Sequence, residues 1–326
     1  MNWHTVTGLC SGIIVAIYLM PIESTVSAAE KAIPESLVFA ITSHNANFLP
    51  LVVAEQKGFY RGAGIRANIQ PMKLAVAVAG AATGEVPYIF TTTSTIGAAM
   101  QGLPLRIVAF INVGSWFLYA DPNIRSISEL KGKIIAQASP HGLQNAMLKG
   151  MLKANGVDPS RDVRFLYIAS TDLTLAVLKS GQVQAAISQL PTPLIAEREG
   201  FRILGNTADY QRFPTAAIGT SLDRIKNRPD EVKEVIRGTL RATKFVQENI
   251  GESSAILSQW AGIPENQARR TLELMKSTFL PDGMLKEEEI QAFIDERVVA
   301  LKVTREVRPA DVFDFSLLQG VLKELP

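Results

Sequence analysis

Residues 37–65 constrain the fold more than any other part of the chain. Leu37, Val38, Phe39, Ala40 and Ile41 form an unbroken apolar run, which suits a strand covered on both faces, as in a parallel sheet. A polar loop follows, Ser43-His44-Asn45-Ala46-Asn47. From Leu49 onward, Leu49, Val52 and Val53 fall at helical spacing as far as Gly58, a residue favoured where helices stop. A strand, loop and helix unit of this kind places its loop at the carboxyl edge of a sheet, where open α/β folds bind ligands. The loop is therefore the first candidate site.

The same grammar recurs along the chain. Strands are predicted at 65–69 and 87–90, with a helix at 76–83 stopped by Gly84. The third strand runs into Thr91-Thr92-Thr93-Ser94-Thr95 and then a small-residue helix. Hydroxyl side chains at a helix entrance cap free amides, and those amides attract anions; the plainer alternative is a strand end plus one cap. Further strands are predicted at 105–111 and 117–120, and a second strand, loop and helix unit begins at 134. Its loop is Gln137-Ala138-Ser139-Pro140-His141-Gly142, and its helix carries Leu143, Met147, Leu148, Met151 and Leu152 on one face. A strand at 163–168, a helix at 173–179 and a strand at 184–188 lead to the turn Gln189-Leu190-Pro191-Thr192-Pro193. Thr83-Gly84-Glu85-Val86 and Ser180-Gly181-Gln182-Val183 occupy matching places, which suggests two similar α/β lobes. Beyond 213–215 the pattern turns helical, at 229–248, 253–260, 264–277, 286–301 and 316–325. That region is expected to supply packing rather than chemistry.

The N-terminus has a different composition. An apolar run spans residues 8–20, Pro21 follows, and then the small residues Val26-Ser27-Ala28. This is the layout of a secretory signal at 1–28, cleaved near Ala28 or Ala29. The residues before Gly8 contain no Lys or Arg, and a retained membrane anchor or a buried helix are the alternatives. The single cysteine, Cys10, precedes most of the apolar run, the wrong place for lipidation, so the mature chain needs no disulfide. With 326 residues and 47% hydrophobic composition the chain can bury a large core. Its 33 basic and 31 acidic side chains leave a net charge of +2 without long runs, which argues against nucleic acid as a partner.

Several segments together resemble one family: FLPLVVAEQKGFYRGAGI at 48–65, AATGEVPYIFTTT at 81–93, QGLPLRIVAFI at 101–111, ISELKGKIIAQASPHG at 127–142, LKANGVDPSRDV at 152–163 and LAVLKSGQVQAAI at 175–187. In this order and spacing the chain resembles the periplasmic solute-binding proteins of ABC importers in the nitrate, sulfonate, taurine and thiamine-precursor group (NMT1/THI5-like, SsuA- and TauA-like). The resemblance implies a two-lobed type II periplasmic-binding fold with two chain crossings, near 115–121 and 213–219. Lobe one would hold 29–119 and 216–326, and lobe two 120–215. It further implies a periplasmic monomer that delivers a small-molecule ligand to an ABC permease and ATPase at the inner membrane. The implied ligand is a sulfonate, another small anion or an aminopyrimidine-like compound. Where relatives carry a glycine- and serine-rich turn after the second strand, this chain has Pro71-Met72-Lys73.

Four loops are then expected to converge on one cleft. Their candidate ligand-binding residues are Ser43, His44 and Asn47; Thr92, Thr93 and Ser94; Ser139, His141, Gly142 and Gln144; and Gln189. Trp116 joins them and, with Phe48, could stack on a ring. His44 and His141 are expected to face each other and to hydrogen-bond rather than to hold a metal, because no Asp or Glu lies in these loops. No Lys or Arg lies there either, so an anion would depend on amides and hydroxyls, each charged hydrogen bond contributing roughly 1.5 to 3 kcal/mol. No cofactor is expected. Ser139 and His141 lack an orienting acid, and the cysteine cluster of the iron-dependent thiamine-pyrimidine synthases that resemble these binders is missing, so a binding role precedes an enzymatic one. A sensory receptor on the same fold is the other alternative.

Overall fold

The computed structural model describes residues 35–140, 143–168 and 173–324; the signal segment, His141 and Gly142 lie outside these. Two five-stranded sheets organise the described residues. The first half contributes β1 (Glu35–Ile41), α1 (Leu49–Gln56), β2 (Ile65–Pro71), α2 (Leu74–Thr83), β3 (Tyr88–Ile89), α3 (Thr92–Met100) and β4 (Leu105–Val113). Then follow β5 (Phe117–Ala120), β6 (Ile134–Gln137), α4 (Leu143–Ala154), β7 (Arg164–Tyr167), α5 (Leu173–Lys179), β8 (Ala185–Ser188), α6 (Thr192–Arg198) and β9 (Arg202–Asn206). The rest comprises β10 (Pro214–Ser221), α7 (Leu222–Asn227), α8 (Pro229–Glu248), α9 (Ile250–Ala261), α10 (Glu265–Met275), α11 (Glu287–Leu301) and α12 (Ser316–Glu324).

The sheets share one topology. Their orders are β2-β1-β3-β10-β4 and β7-β6-β8-β5-β9. β1 runs parallel to β2 and β3, as β6 does to β7 and β8. The fourth strand of each, β10 or β5, is antiparallel to both neighbours and is the first strand after the chain passes from one sheet to the other. The passages are residues 114–116 and 207–213, a little ahead of the expected positions. The repeat read from the two Gly turns is therefore a repeat of whole sheets: Gly84 (φ +87°) ends α2 before β3, and Gly181 (φ +74°) follows α5 before β8.

Three elements differ from the sequence reading. The turn at 189–193 opens directly into α6, and the 202–206 and 214–221 segments are strands. β10 was hidden because its segment, Pro-Thr-Ala-Ala-Ile-Gly-Thr-Ser, carries few strong strand formers; its pairing on both sides decides it. Among the described residues no helix is long and apolar enough to cross a membrane.

β1 sits at the centre of sheet one's core, as its two-sided apolar run requires. Leu37, Phe39 and Ile41 face α1, α8 and α9, and Ala40 faces α2 and α3. The Phe39 ring lies 5.5 Å from Tyr60, 5.3 Å from Tyr88 and 4.9 Å from Phe90, edge-on or tilted, the geometries aromatic pairs favour. On the far side α8 buries Val232, Val235, Ile236, Leu240 and Val246. Gly238 lets Tyr60 approach so closely that an added Cβ would lie 2.5 Å from the ring.

Candidate functional site

The loop after β1 is shaped by its own amides. Asn45 accepts a hydrogen bond from the Asn47 amide at 3.0 Å and donates to the Ser43 hydroxyl at 2.9 Å, while the Phe48 amide donates back to the Asn45 carbonyl at 3.1 Å. These bonds wind a short 3-10 turn, Ala46–Phe48, ahead of α1. A fully buried residue that sequence reasoning missed anchors the loop to the sheet: Asn112 donates to the Asn47 carbonyl at 2.9 Å and accepts from the Ala216 amide at 3.2 Å. It does so where the β10 to β4 pairing shifts register, so its amide supplies what the ladder loses there.

This loop forms one wall of a cavity of about 320 Å3. The second sheet supplies Gln189, Leu190 and Pro191 at the end of β8, and the 114–116 passage and the start of β5 supply Ser115 and Phe117. The third wall was not foreseen. It consists of Leu257 and Ala261 on α9, Ile263 between the helices, and Gln267, Thr271 and Met275 on α10. Gln267, Thr271 and Met275 recur every fourth residue, so one stripe of α10 faces the cavity. Gly262 (φ +67°) makes the turn between the helices, and Ser258 locks it by donating to the Ile263 carbonyl at 2.6 Å. The expectation that the C-terminal helices only pack is thus corrected. Their stripe is visible in the sequence, but nothing local tells that it crosses to the cleft.

The candidate residues divide. Ser43, His44, Asn47 and Gln189 line the cavity; Thr92, Thr93, Ser94, Trp116, Ser139 and Gln144 do not, and His141 and Gly142 are outside the described residues. The His44 ring meets Trp260 of α9, with centroids 4.8 Å apart. Gln144 is engaged by backbone, accepting from the Ala138 amide at 3.1 Å and donating to the Ile187 carbonyl at 3.4 Å. Trp116 packs against Gly114 and the cores of both sheets. Its amide and carbonyl bond Thr207 at 3.2 and 2.9 Å, so it ties the two passages together. Phe48 is buried in the core of sheet one. Thr91 occupies the N-cap of α3 without the side-chain cap expected of it, and the Thr91 and Thr92 hydroxyls are buried without hydrogen-bond partners among the described residues.

The electrostatics are plain. Among the described residues lining the cavity there is no Lys, Arg, Asp or Glu. One ion pair outside it ties two elements that border it, Arg270 of α10 holding Glu197 of α6 in two hydrogen bonds of 2.8 and 3.2 Å. Glu197 raises the Arg270 guanidinium above its ordinary value. Ser115 contributes the one lining hydroxyl that is buried with no hydrogen-bond partner among the described residues. Among the described residues no three His, Cys, Asp or Glu side chains gather closely enough to hold a metal ion.

The curated proteins give no significant match. Among solved structures, the putative periplasmic sulfonate-binding protein SsuA of Methylobacillus flagellatus KT is 18% identical, with a TM-score of 0.68 over 90% of this chain and 95% of that one. The periplasmic nitrate-binding protein NrtA of Synechocystis PCC 6803 is 16% identical, with a TM-score of 0.59 over 89% and 88%. The desulfurization enzyme DSZB is 14% identical, with a TM-score of 0.61 over 89% and 99%. At these identities the likeness is one of fold, the two-lobed α/β architecture of periplasmic binding proteins. The sequence model of the NMT1/THI5-like family matches residues 45–252, from the first loop through α8 and into α9, and the chain belongs to that family.

Proposed function

We propose that the chain is the extracytoplasmic substrate-binding component of an ABC importer, capturing a small organic solute between its two sheets and presenting the closed form to a membrane permease. The observation that carries this reading is the construction of the cavity. Its walls come from the β1 loop, from the end of β8 and from α9 and α10, elements of both sheets and of the C-terminal helices. A ligand touching all three rewards closure, which is how hinge proteins convert binding into shape. The volume of about 320 Å3 falls at the small end of ligand pockets, roughly 300 to 1,000 Å3. A periplasmic sulfonate-binding protein of an ABC transporter and a periplasmic nitrate-binding protein on the same fold support the binding role. The enzyme on that fold keeps a catalytic alternative testable.

The test is native mass spectrometry of protein purified from its own cells, followed by reconstitution with candidate ABC permease and ATPase complexes of the same cells. A co-purifying small molecule recovered unchanged, and permease ATPase activity that rises only with loaded protein, are expected. Conversion of the molecule by the purified protein would refute the transport reading.

A further inference from the structure

Among the described residues the cavity wall supplies little of what an anion requires, His44 being its one titratable side chain. No lining residue among those described carries a permanent charge, and two of the helix starts that border it, those of α1 and α6, offer few amides. At the β1 loop the Asn47 and Phe48 amides are spent inside the loop, and α1 begins with Pro50 in its first turn. At α6 the first turn is bracketed by Pro191 and Pro193, which have no N–H to give. The amides that follow, Leu194 and Ile195, both donate to the Pro191 carbonyl, at 2.9 and 3.2 Å. Burying an uncompensated anion here would be strongly unfavourable.

What the walls do offer is sorted by chemistry. Leu257, Ala261, Ile263 and Met275 make an apolar side on α9 and α10. Asn47, Gln189, Gln267 and Ser115 supply amide and hydroxyl groups able to donate and accept, and the Ser115 hydroxyl has no partner within the described structure. We infer that the solute is an uncharged, amphiphilic organic molecule. Its amide, hydroxyl or heteroaromatic end meets the amide groups and Ser115, and its aliphatic or aryl end enters the apolar side. This rests on the binding role proposed above and sets the chain apart from the sulfonate- and nitrate-binding proteins of similar fold.

Calorimetry with matched probes tests it: n-alkanesulfonamides against n-alkanesulfonates and n-alkanecarboxamides against n-alkanecarboxylates, from ethyl to octyl. The uncharged member of each pair is expected to bind at least tenfold more tightly, with about fourfold gained per added methylene until the apolar side is filled. Ala261→Trp, which fills that side, is expected to abolish the gain with chain length while thermal unfolding stays cooperative. Equal or tighter binding of the anionic members overturns the inference. So does failure of every uncharged probe to bind, or an unchanged chain-length dependence in Ala261→Trp. Consumption of a probe would instead count against the transport role and leave the charge preference standing, so the two failures are distinguishable.

Discussion

The side chains that build the cavity are not only those with the most conspicuous chemistry. His44 lines the cavity from an exposed position beside Trp260; Gln267, silent in the sequence, lines it too, and Asn112, equally silent, fastens its loop. Gln267→Ala is expected to weaken ligand binding about five- to tenfold, the worth of one good hydrogen bond. Thr93→Ala, at an exposed position that does not line the cavity, should change it less than twofold. Titration of Trp260 fluorescence would compare the two, and a larger effect at Thr93 would move the site toward α3. Asn112→Ala removes the bonds of a fully buried amide to Asn47 and strands the Ala216 N–H. A loss of about 1 to 3 kcal/mol in urea unfolding is expected, with a weakened site because the β1 loop loses its anchor.

The strands and helices were legible wherever periodicity was local. α8, with Pro229 at its start and one apolar face, could be read to the residue, as could β5 and α5. β9 and β10 could not, because they owe their existence to partners distant in sequence. The α9 and α10 wall was readable as two helical segments, but its position against the β1 loop is a tertiary fact. Contacts between elements carry their own predictions. Gly238→Ala drives a methyl group into the Tyr60 ring and should cost about 1 to 3 kcal/mol, checked by chemical denaturation; a neutral result would mean that α8 can retreat from α1. Glu197→Gln breaks the bidentate tie between α6 and α10. Since both partners are more than a third exposed, stability should change by less than about 1 kcal/mol. Ligand dissociation measured by stopped flow should quicken, because that pair joins two walls of the cavity. An unchanged rate would show the tie to be incidental.

Both sheets are held by buried tyrosines, and this gives the folded chain a pH limit. Tyr60 is enclosed beside Thr239, with oxygens 2.8 Å apart. Tyr88 donates to Glu231 at 2.8 Å, and Tyr119 shares a 2.8 Å bond with Thr174 in sheet two. Burial pushes all three phenols above their ordinary value, and the Glu231 carboxylate pushes Tyr88 further. The folded state therefore keeps protons that the unfolded chain releases from about pH 10 upward. A group whose folded value is raised contributes its stability fully below the unfolded value, and loses it as pH rises toward the folded one. Urea midpoints should accordingly be flat with respect to these groups up to about pH 9. They should then fall, each tyrosine adding at most about 1.4 kcal/mol per pH unit to the slope. Tyr60→Phe isolates one contribution, since Thr239 retains its 2.7 Å bond to the Val235 carbonyl. The variant should be modestly less stable at pH 8 and decline less steeply above pH 10. An identical slope in the two proteins would mean that the core around Phe39 admits solvent before it unfolds, and that the aromatic centre of sheet one opens locally.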